Sequence, residues 1–397
     1  MRVRVRLAAA FAVLAVLVVA AAASWFVVSS LQQDFAAYWV AGRAARRGLD
    51  PYVNQVAVGL WDGVALFRHS RFLYPPLLAD FFRPLAALPY GLAKAVFTAL
   101  AVTAWIGAAV QAGRLAGGAS AISALCAGAL FAPLYLHLER GQIDLFVLVL
   151  LLATIAWRER PLRGGVAMAT AVLCKPAAIG LLPLLLVARR FRLCALAAAA
   201  GAGWLLVTLL FAGPARTREY VREVAPRVVR YGEGGTEAML LDASLIAAAD
   251  PRMDGRTYPE SALDLDARAS LPRLLAPQEP RLWAFVLPYA VLAAGLGWAG
   301  RRARGHAQRE VLLLAGALPL CVVASPTGWA MGCVWALPLV PLGLSGWHKR
   351  PAAWAIVGAG WLLVALPDLL VAQRVLGLIA IVVGVCAALA SREGSVG

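Results

Sequence analysis

The sequence predicts an all-α polytopic membrane protein, and three observations lead there. Of the 397 residues, 62% are apolar and only 15% are charged, where a soluble globular chain has about a quarter charged and 45–50% apolar residues. Mean hydropathy is +0.76, and the apolar residues run through almost the whole length. The net charge of +16 sits in short clusters between apolar runs: Arg2/Arg4/Arg6, Arg158/Arg160/Arg163, Arg189/Arg190/Arg192, Arg301/Arg302/Arg304/Arg309 and Lys349/Arg350. Cytoplasmic loops carry such clusters under the positive-inside bias. This pattern excludes a soluble enzyme, a disordered regulator and a secreted disulfide scaffold. It also argues against nucleic-acid binding, because no basic stripe is interleaved with aromatics on a soluble module.

Residues 1–28 are expected to form the first membrane helix, an apolar run behind three arginines. The run outlasts the usual h-region of about 7–15 residues, so an uncleaved helix is preferred to a signal peptide, with the N-terminus cytoplasmic. Residues 29–75 mix Asp34, Asp50 and Asp62 with Trp, Phe and arginines. They are expected to form an extracytoplasmic loop with amphipathic helices on the membrane surface. Residues 76–212 hold apolar segments near 76–88, 91–113, 119–136, 142–157, 164–187 and 193–212. The first contains Asp80 and Arg83, and Lys175-Pro176 breaks 164–187 into halves too short to cross alone. If 76–88 does not cross and 164–187 is a re-entrant hairpin, then Arg114, Arg158–Arg163 and Arg189–Arg192 share one side, as charge bias favours. If both cross, Arg158–Arg163 lies opposite. Residues 213–280 form the longest polar segment, with 11 of the 21 acidic residues, and are expected outside. Residues 281–397 supply the C-terminal membrane helices, for a total of about 10–12.

All six cysteines (Cys126, Cys174, Cys194, Cys321, Cys333, Cys386) lie in apolar stretches without a CxxC and read as small hydrophobes. The four histidines are scattered and no zinc-ligand spacing exists, so no metal site is expected.

Ionisable residues beside or inside apolar helices are costly and mark functional candidates. Asp34 follows the first helix, and on a helix it shares a face with Tyr38. A carboxylate partly withdrawn from water can serve as general base, and it can equally cap the next helix. Arg140-Gly141-Gln142-Ile143-Asp144 lies between two apolar runs, where glycine permits a tight turn while Gln142 and Asp144 offer acceptors for sugar hydroxyls. The other reading is a capping loop. Lys175-Pro176 is expensive unless the lysine meets an anion such as a lipid phosphate, or snorkels at a kink. Ser325-Pro326-Thr327-Gly328-Trp329 joins two outer helix ends, as a site turn or an ordinary interfacial loop. Asp264-Leu265-Asp266 spells a DxD, a weak match without a soluble nucleotide-binding domain.

These motifs, in this order, have a likeness. Asp34-Phe35-x-x-Tyr38 is followed by Gly48-x-Asp50-Pro51-Tyr52, Leu73-Tyr74-Pro75-Pro76 and Pro84-Leu85-x-x-Leu88-Pro89. Then come Gly141-Gln142-Ile143-Asp144, Lys175-Pro176, Asp242-Ala243-Ser244-Leu245 and Ser325-Pro326. Over about residues 5–350 the chain resembles the polyprenol-phosphate-dependent glycosyltransferases of family 87, in the GT-C superfamily. The resemblance implies a GT-C-type helical bundle with two large extracytoplasmic loops in the bacterial inner membrane. It implies transfer of a sugar, mannose first, from a polyprenyl-phosphate donor to a glycolipid or glycan acceptor on the outer face, with inversion.

Asp34 is then the expected catalytic base, and Tyr38, Tyr74, Gln142, Asp144, Lys175, Ser244 and Trp329 are the expected substrate-binding residues. No cofactor and no obligatory metal are expected, because a phosphate can leave without a metal-bound nucleotide. Two departures stand out. The family's Ser-Pro-x-Ser-Trp-x-His-His reads here Ser325-Pro326-Thr327-Gly328-Trp329-Ala330-Met331-Gly332, without either histidine, which leaves phosphate neutralisation to Lys175 or an arginine. Asp144 replaces a usual Asn. A transporter or lipid flippase, and a family member that binds lipid-linked sugar without turnover, are the alternatives.

Overall fold

A computed structural model of the chain describes residues 2–52, 72–117, 121–229, 270–276, 281–302, 307–326, 328–346, 350–367 and 372–390. Every regular element among them is helical. Most of the loop at 213–280, with Ser244, Asp264 and Asp266, lies outside the described residues, as do Asp62 and Thr327.

Helix α1 (Arg2–Ser29) is followed by α2 (Gln33–Arg46), α3 (Pro76–Phe81) and α4 (Tyr90–Leu115). Helices α5 (Ala121–Ala129) and α6 (Ala132–Arg140) make a pair bent by 72°, and α7 (Asp144–Ala156) and α8 (Pro161–Cys174) follow. A 3-10 turn at Pro176–Leu181 leads into α9 (Leu182–Val187) and the long α10 (Phe191–Phe211). Beyond it lie α11 (Pro214–Glu219), a π-helical turn at Tyr220–Val224 and α12 (Ala225–Val229). The C-terminal part holds α13 (Leu271–Leu275), α14 (Leu282–Arg302), α15 (Ala307–Val323), a 3-10 helix at Ala330–Ala336, α16 (Leu339–Gly346), α17 (Pro351–Ala365) and α18 (Gln373–Ala390).

The all-α polytopic membrane class stands. Among the described residues five helices are long and apolar enough to cross, and the bent α5–α6 pair is a sixth. The balance of the helices expected from the sequence corresponds to shorter apolar elements such as α7, α8 and α17.

A knot of charges explains why some are short. Arg190, just before α10, donates to Glu310 of α15 at 2.6 and 2.7 Å and to Glu159, in the α7–α8 turn, at 2.8 Å. Arg158 lies 3.6 Å from Glu310. The α7–α8 turn, the α9–α10 turn and the start of α15 therefore share one face of the protein. Residues 161–187 leave that face and return to it, so they form a hairpin. Its tip is Lys175, extended at φ −145° and ψ 104°, because the residue before proline is driven out of the helical region. Helices α7 and α8, with 13 and 14 residues, rise only about 20 Å, against about 30 Å of hydrocarbon. Their tips at Asp144 and Lys175 are thus recessed within the apolar layer.

Segment 76–88 does not cross either; it is α3, a turn and a 3-10 turn at Leu85–Ala87. The expectation of surface-lying amphipathic helices in 29–75 needs correction for α2. Eleven of its 14 residues are buried, Asp34 to Gly42 without a break. Gly42 makes this close fit possible: a Cβ there would stand 2.8 Å from the Phe82 carbonyl oxygen.

The hairpin has a direct consequence. With the six native cysteines replaced, single cysteines introduced as Arg160→Cys and Arg189→Cys, both at exposed positions, will react with a membrane-impermeant maleimide from the same side. Reaction from opposite sides would show that 161–187 crosses.

Candidate active site

Two left-handed corners build the site. Gln32, between α1 and α2, has φ 52° and ψ 62°. Gly141, between α6 and α7, has φ 69°. The left-handed region costs a non-glycine residue roughly 1–2 kcal/mol. At Gln32 the side chain offsets this by donating to Thr98 Oγ1 at 2.9 Å and to the Leu138 carbonyl at 3.0 Å. The corners pack on each other: a Cβ at Gly141 would lie 2.6 Å from Phe35 Cβ and 3.2 Å from Gln32 Cβ. Only glycine fits there, for both its backbone and its missing side chain.

This contact brings Asp34, in the first turn of α2, to Gln142 at the head of α7. Gln142 Nε2 donates to Asp34 Oδ2 at 2.9 Å. The Tyr38 hydroxyl donates to Gln142 Oε1 at 2.9 Å, with the Tyr74 hydroxyl 3.3 Å from the same oxygen. The two tyrosine hydroxyls are 2.8 Å apart. Since Oε1 accepts from hydroxyls, the amide must present its NH2 to the carboxylate, and the side chain is fixed in one orientation. Asp34 is 8% exposed. Phe35 stacks on Phe97 at 4.7 Å, Tyr38 on Phe82 at 4.9 Å, and Phe97 packs against Phe146 at 5.4 Å. These rings hold α2 rigid beneath the polar cluster.

A second cluster adjoins it. Lys175 Nζ donates to both Asp144 carboxylate oxygens, at 2.7 and 2.8 Å, and Asp144 is fully buried. The extra negative charge at residue 144 is thus matched by the hairpin-tip lysine. The 3-10 helix at Ala330–Ala336 covers the pair: Gly332 sits where a Cβ would be 3.4 Å from Asp144 Oδ1, and Trp335 Nε1 donates to the Asp144 carbonyl at 3.1 Å.

Of the residues expected from sequence, Asp34, Tyr38, Tyr74 and Gln142 form one hydrogen-bonded group, and Asp144 with Lys175 forms the adjoining one. Trp329 leads into the covering 3-10 helix, but it is Trp335 whose indole reaches Asp144. Ser244 lies outside the described residues. Sequence reasoning missed Gln32, Trp335 and Lys94. Only Lys94 left a signal, as one of three lysines in a chain of 34 arginines. Among the described residues no three His, Cys, Asp or Glu side chains gather at one point.

The sequence profile of glycosyltransferase family 87 matches residues 72–326. The chain belongs to this family. As a family 87 protein it is a membrane glycosyltransferase, with sugar donor and acceptor as its substrates. Tyr74, Gln142, Asp144 and Lys175 fall inside the matched residues, and Asp34, Tyr38 and Trp329 outside them. No curated protein and no solved structure matches the chain.

In this glycosyltransferase the segment after α10 docks beside the site. Tyr52 donates its hydroxyl to the Tyr74 carbonyl at 2.8 Å, and its ring stacks on Tyr220 at 6.2 Å. Arg216 donates to the Gly48 carbonyl. Partial burial, followed by the nearby Asp50 and Glu223 carboxylates, pushes the Glu219 carboxyl up to about 7, with Arg216 opposing. The docked state favours protonated Glu219. The resulting penalty is absent below the carboxyl's ordinary value of 4.5, grows as pH rises, and is complete above about 7.

Two outcomes follow for the family 87 site. Lys175→Met will destabilise the protein by about 3–5 kcal/mol, because it strands a buried carboxylate, and adding Asp144→Leu will recover most of that loss. Denaturation in mixed micelles measures both; equal stability of Lys175→Met and the parent would mean the pair is not buried. Amide exchange across residues 214–224, corrected for intrinsic rates, will be faster at about pH 8 than at about pH 5.5. Glu219→Gln will remove that difference, and its persistence would exclude Glu219 as the cause.

Proposed function

We propose that this glycosyltransferase moves a sugar, mannose first, from a polyprenyl phosphate to a hydroxyl of a glycolipid or glycan, with inversion. Asp34 is the general base. The observation that carries this reading is the Asp34 carboxylate, buried at the head of α2 and aimed by an amide that two tyrosine hydroxyls lock in place.

The chemistry needs three things of the chain. The acceptor hydroxyl must lose its proton, which passes to the Asp34 carboxylate as the oxygen attacks the anomeric carbon. The bond from that carbon to the phosphate oxygen breaks, and the phosphate leaves with the electron pair. Because attack and departure are on opposite sides, configuration inverts. The leaving phosphate needs cationic stabilisation as its charge grows. In the structure Lys175 is already neutralised by Asp144, so for Lys175 to serve, the incoming anion must compete with that carboxylate. A phosphate leaves without a nucleotide diphosphate to chelate a metal, so an obligatory metal is not part of this proposal.

Tyr38, Tyr74 and Gln142 position the sugars and the base, with Ser244 and Trp329 as further donor or acceptor contacts. The recessed depth of Asp144 and Lys175 suits a donor that enters from the bilayer with its prenyl chain along apolar helices. The arginine-rich face is then cytoplasmic, and Asp34 opens toward the outside of the bacterial inner membrane.

Asp34→Asn in liposomes will lower kcat for transfer from a polyprenyl-phosphate mannose by about 10²–10⁴-fold and leave the donor KM little changed. Turnover near the parent rate would remove Asp34 from the role of base.

A further inference from the structure

Two of the three lysines of this chain meet opposite fates. Lys175 is paired with a carboxylate. Lys94, in the second turn of α4, is only 8% exposed, yet among the described residues no carboxylate pairs with it. Its ammonium donates to the Ser30 carbonyl at 2.7 Å and lies 5.6 Å from the centre of the Tyr90 ring. An ammonium has three donors, and among the described residues only Ser30 accepts from it. A buried charge without a counter-ion costs several kcal/mol, and near a membrane span such a residue marks an ion or ligand position.

The surroundings say what kind of anion. Ser30 ends α1, whose last turns present Trp25 (68% exposed) and Val28 (85% exposed), and on α4 Leu92 is also exposed. These are large apolar side chains on helices long and apolar enough to cross a bilayer, where exposed apolar groups suit acyl chains. An anion reaching Lys94 past them needs an apolar tail. On the other side, Tyr90 stacks on Phe35 at 5.8 Å, next to Asp34, and its hydroxyl donates to the Leu31 carbonyl.

We propose that Lys94 is a ligand for the phosphate of a membrane lipid, held at the rim of the Asp34 site by the two ammonium donors that no described residue engages. The assignment of that lipid as the sugar donor rests on the proposed function. Unlike Lys175, Lys94 can then meet the phosphate without breaking an ion pair seen among the described residues.

The test uses the full chain in detergent micelles, with lipid binding read by native mass spectrometry. The probes are undecaprenyl phosphate, phosphatidylglycerol and inorganic phosphate. Undecaprenyl phosphate will bind the parent, Lys94→Gln will weaken it about 10- to 100-fold, the range for one charge-assisted hydrogen bond, and Lys94→Arg will retain most of the binding. Lys94→Gln is expected to fold, since it removes a buried charge, and a melting curve checks this. Phosphatidylglycerol binding that depends on Lys94, with no binding of undecaprenyl phosphate, would support the lipid-phosphate site and remove the donor reading. Displacement of the lipid by inorganic phosphate would overturn the lipid half of the proposal. Unchanged lipid affinity in Lys94→Gln, with a lowered melting temperature, would overturn it altogether and leave Lys94 as a cap on the carbonyl end of α1.

Discussion

The contact between the corners at Gln32 and Gly141 is the constraint on which the site depends. Each corner redirects the chain at the end of an apolar helix, and each uses a left-handed backbone. They meet at distances that admit no side chain on Gly141. That fit places the first turn of α2 against the head of α7. Without it Asp34 and Gln142, 108 residues apart in sequence, would not share a hydrogen bond. The aromatic rings of α2 then serve a mechanical role, since a helix buried on nearly every side cannot rock a carboxylate away from its partner.

Charge is managed in two ways at the site. Asp144 and Lys175 neutralise each other at the tips of short helices, and Asp34 is held by an amide whose own acceptor is occupied. In the first arrangement both oxygens of one carboxylate meet the same ammonium, so neither charge is left buried and unpaired. In the second, the Gln142 amide orients one carboxylate oxygen. The carboxylate at residue 144 is the counter-ion of Lys175, and the 3-10 helix at Ala330–Ala336 packs over it through Trp335.

The face opposite the site is organised by Arg190. One guanidinium reaching Glu159 and Glu310 ties three chain turns together. The same tie obliges residues 161–187 to fold back, which is what leaves Lys175 at the hairpin tip beside Asp144. The hairpin and the ion pair are therefore one arrangement, with the arginine fixing its base and the aspartate its tip.

The sequence by itself determined the class of the protein, because hydropathy and clustered arginines are properties of composition and spacing. It also picked out Asp34, Gln142, Asp144 and Lys175, since an ionisable or amide side chain bordering an apolar run is conspicuous in one dimension. The break at Lys175-Pro176 was equally legible, as a proline acts on its immediate neighbour. The partners of those residues were not legible. That Lys175 belongs to Asp144, that Trp335 and not Trp329 reaches that aspartate, and that α2 is enclosed instead of lying on a surface were decided by tertiary packing. Lys94 stayed hidden because an unpaired charge is defined by what fails to approach it, and that exists only once the helices have come together.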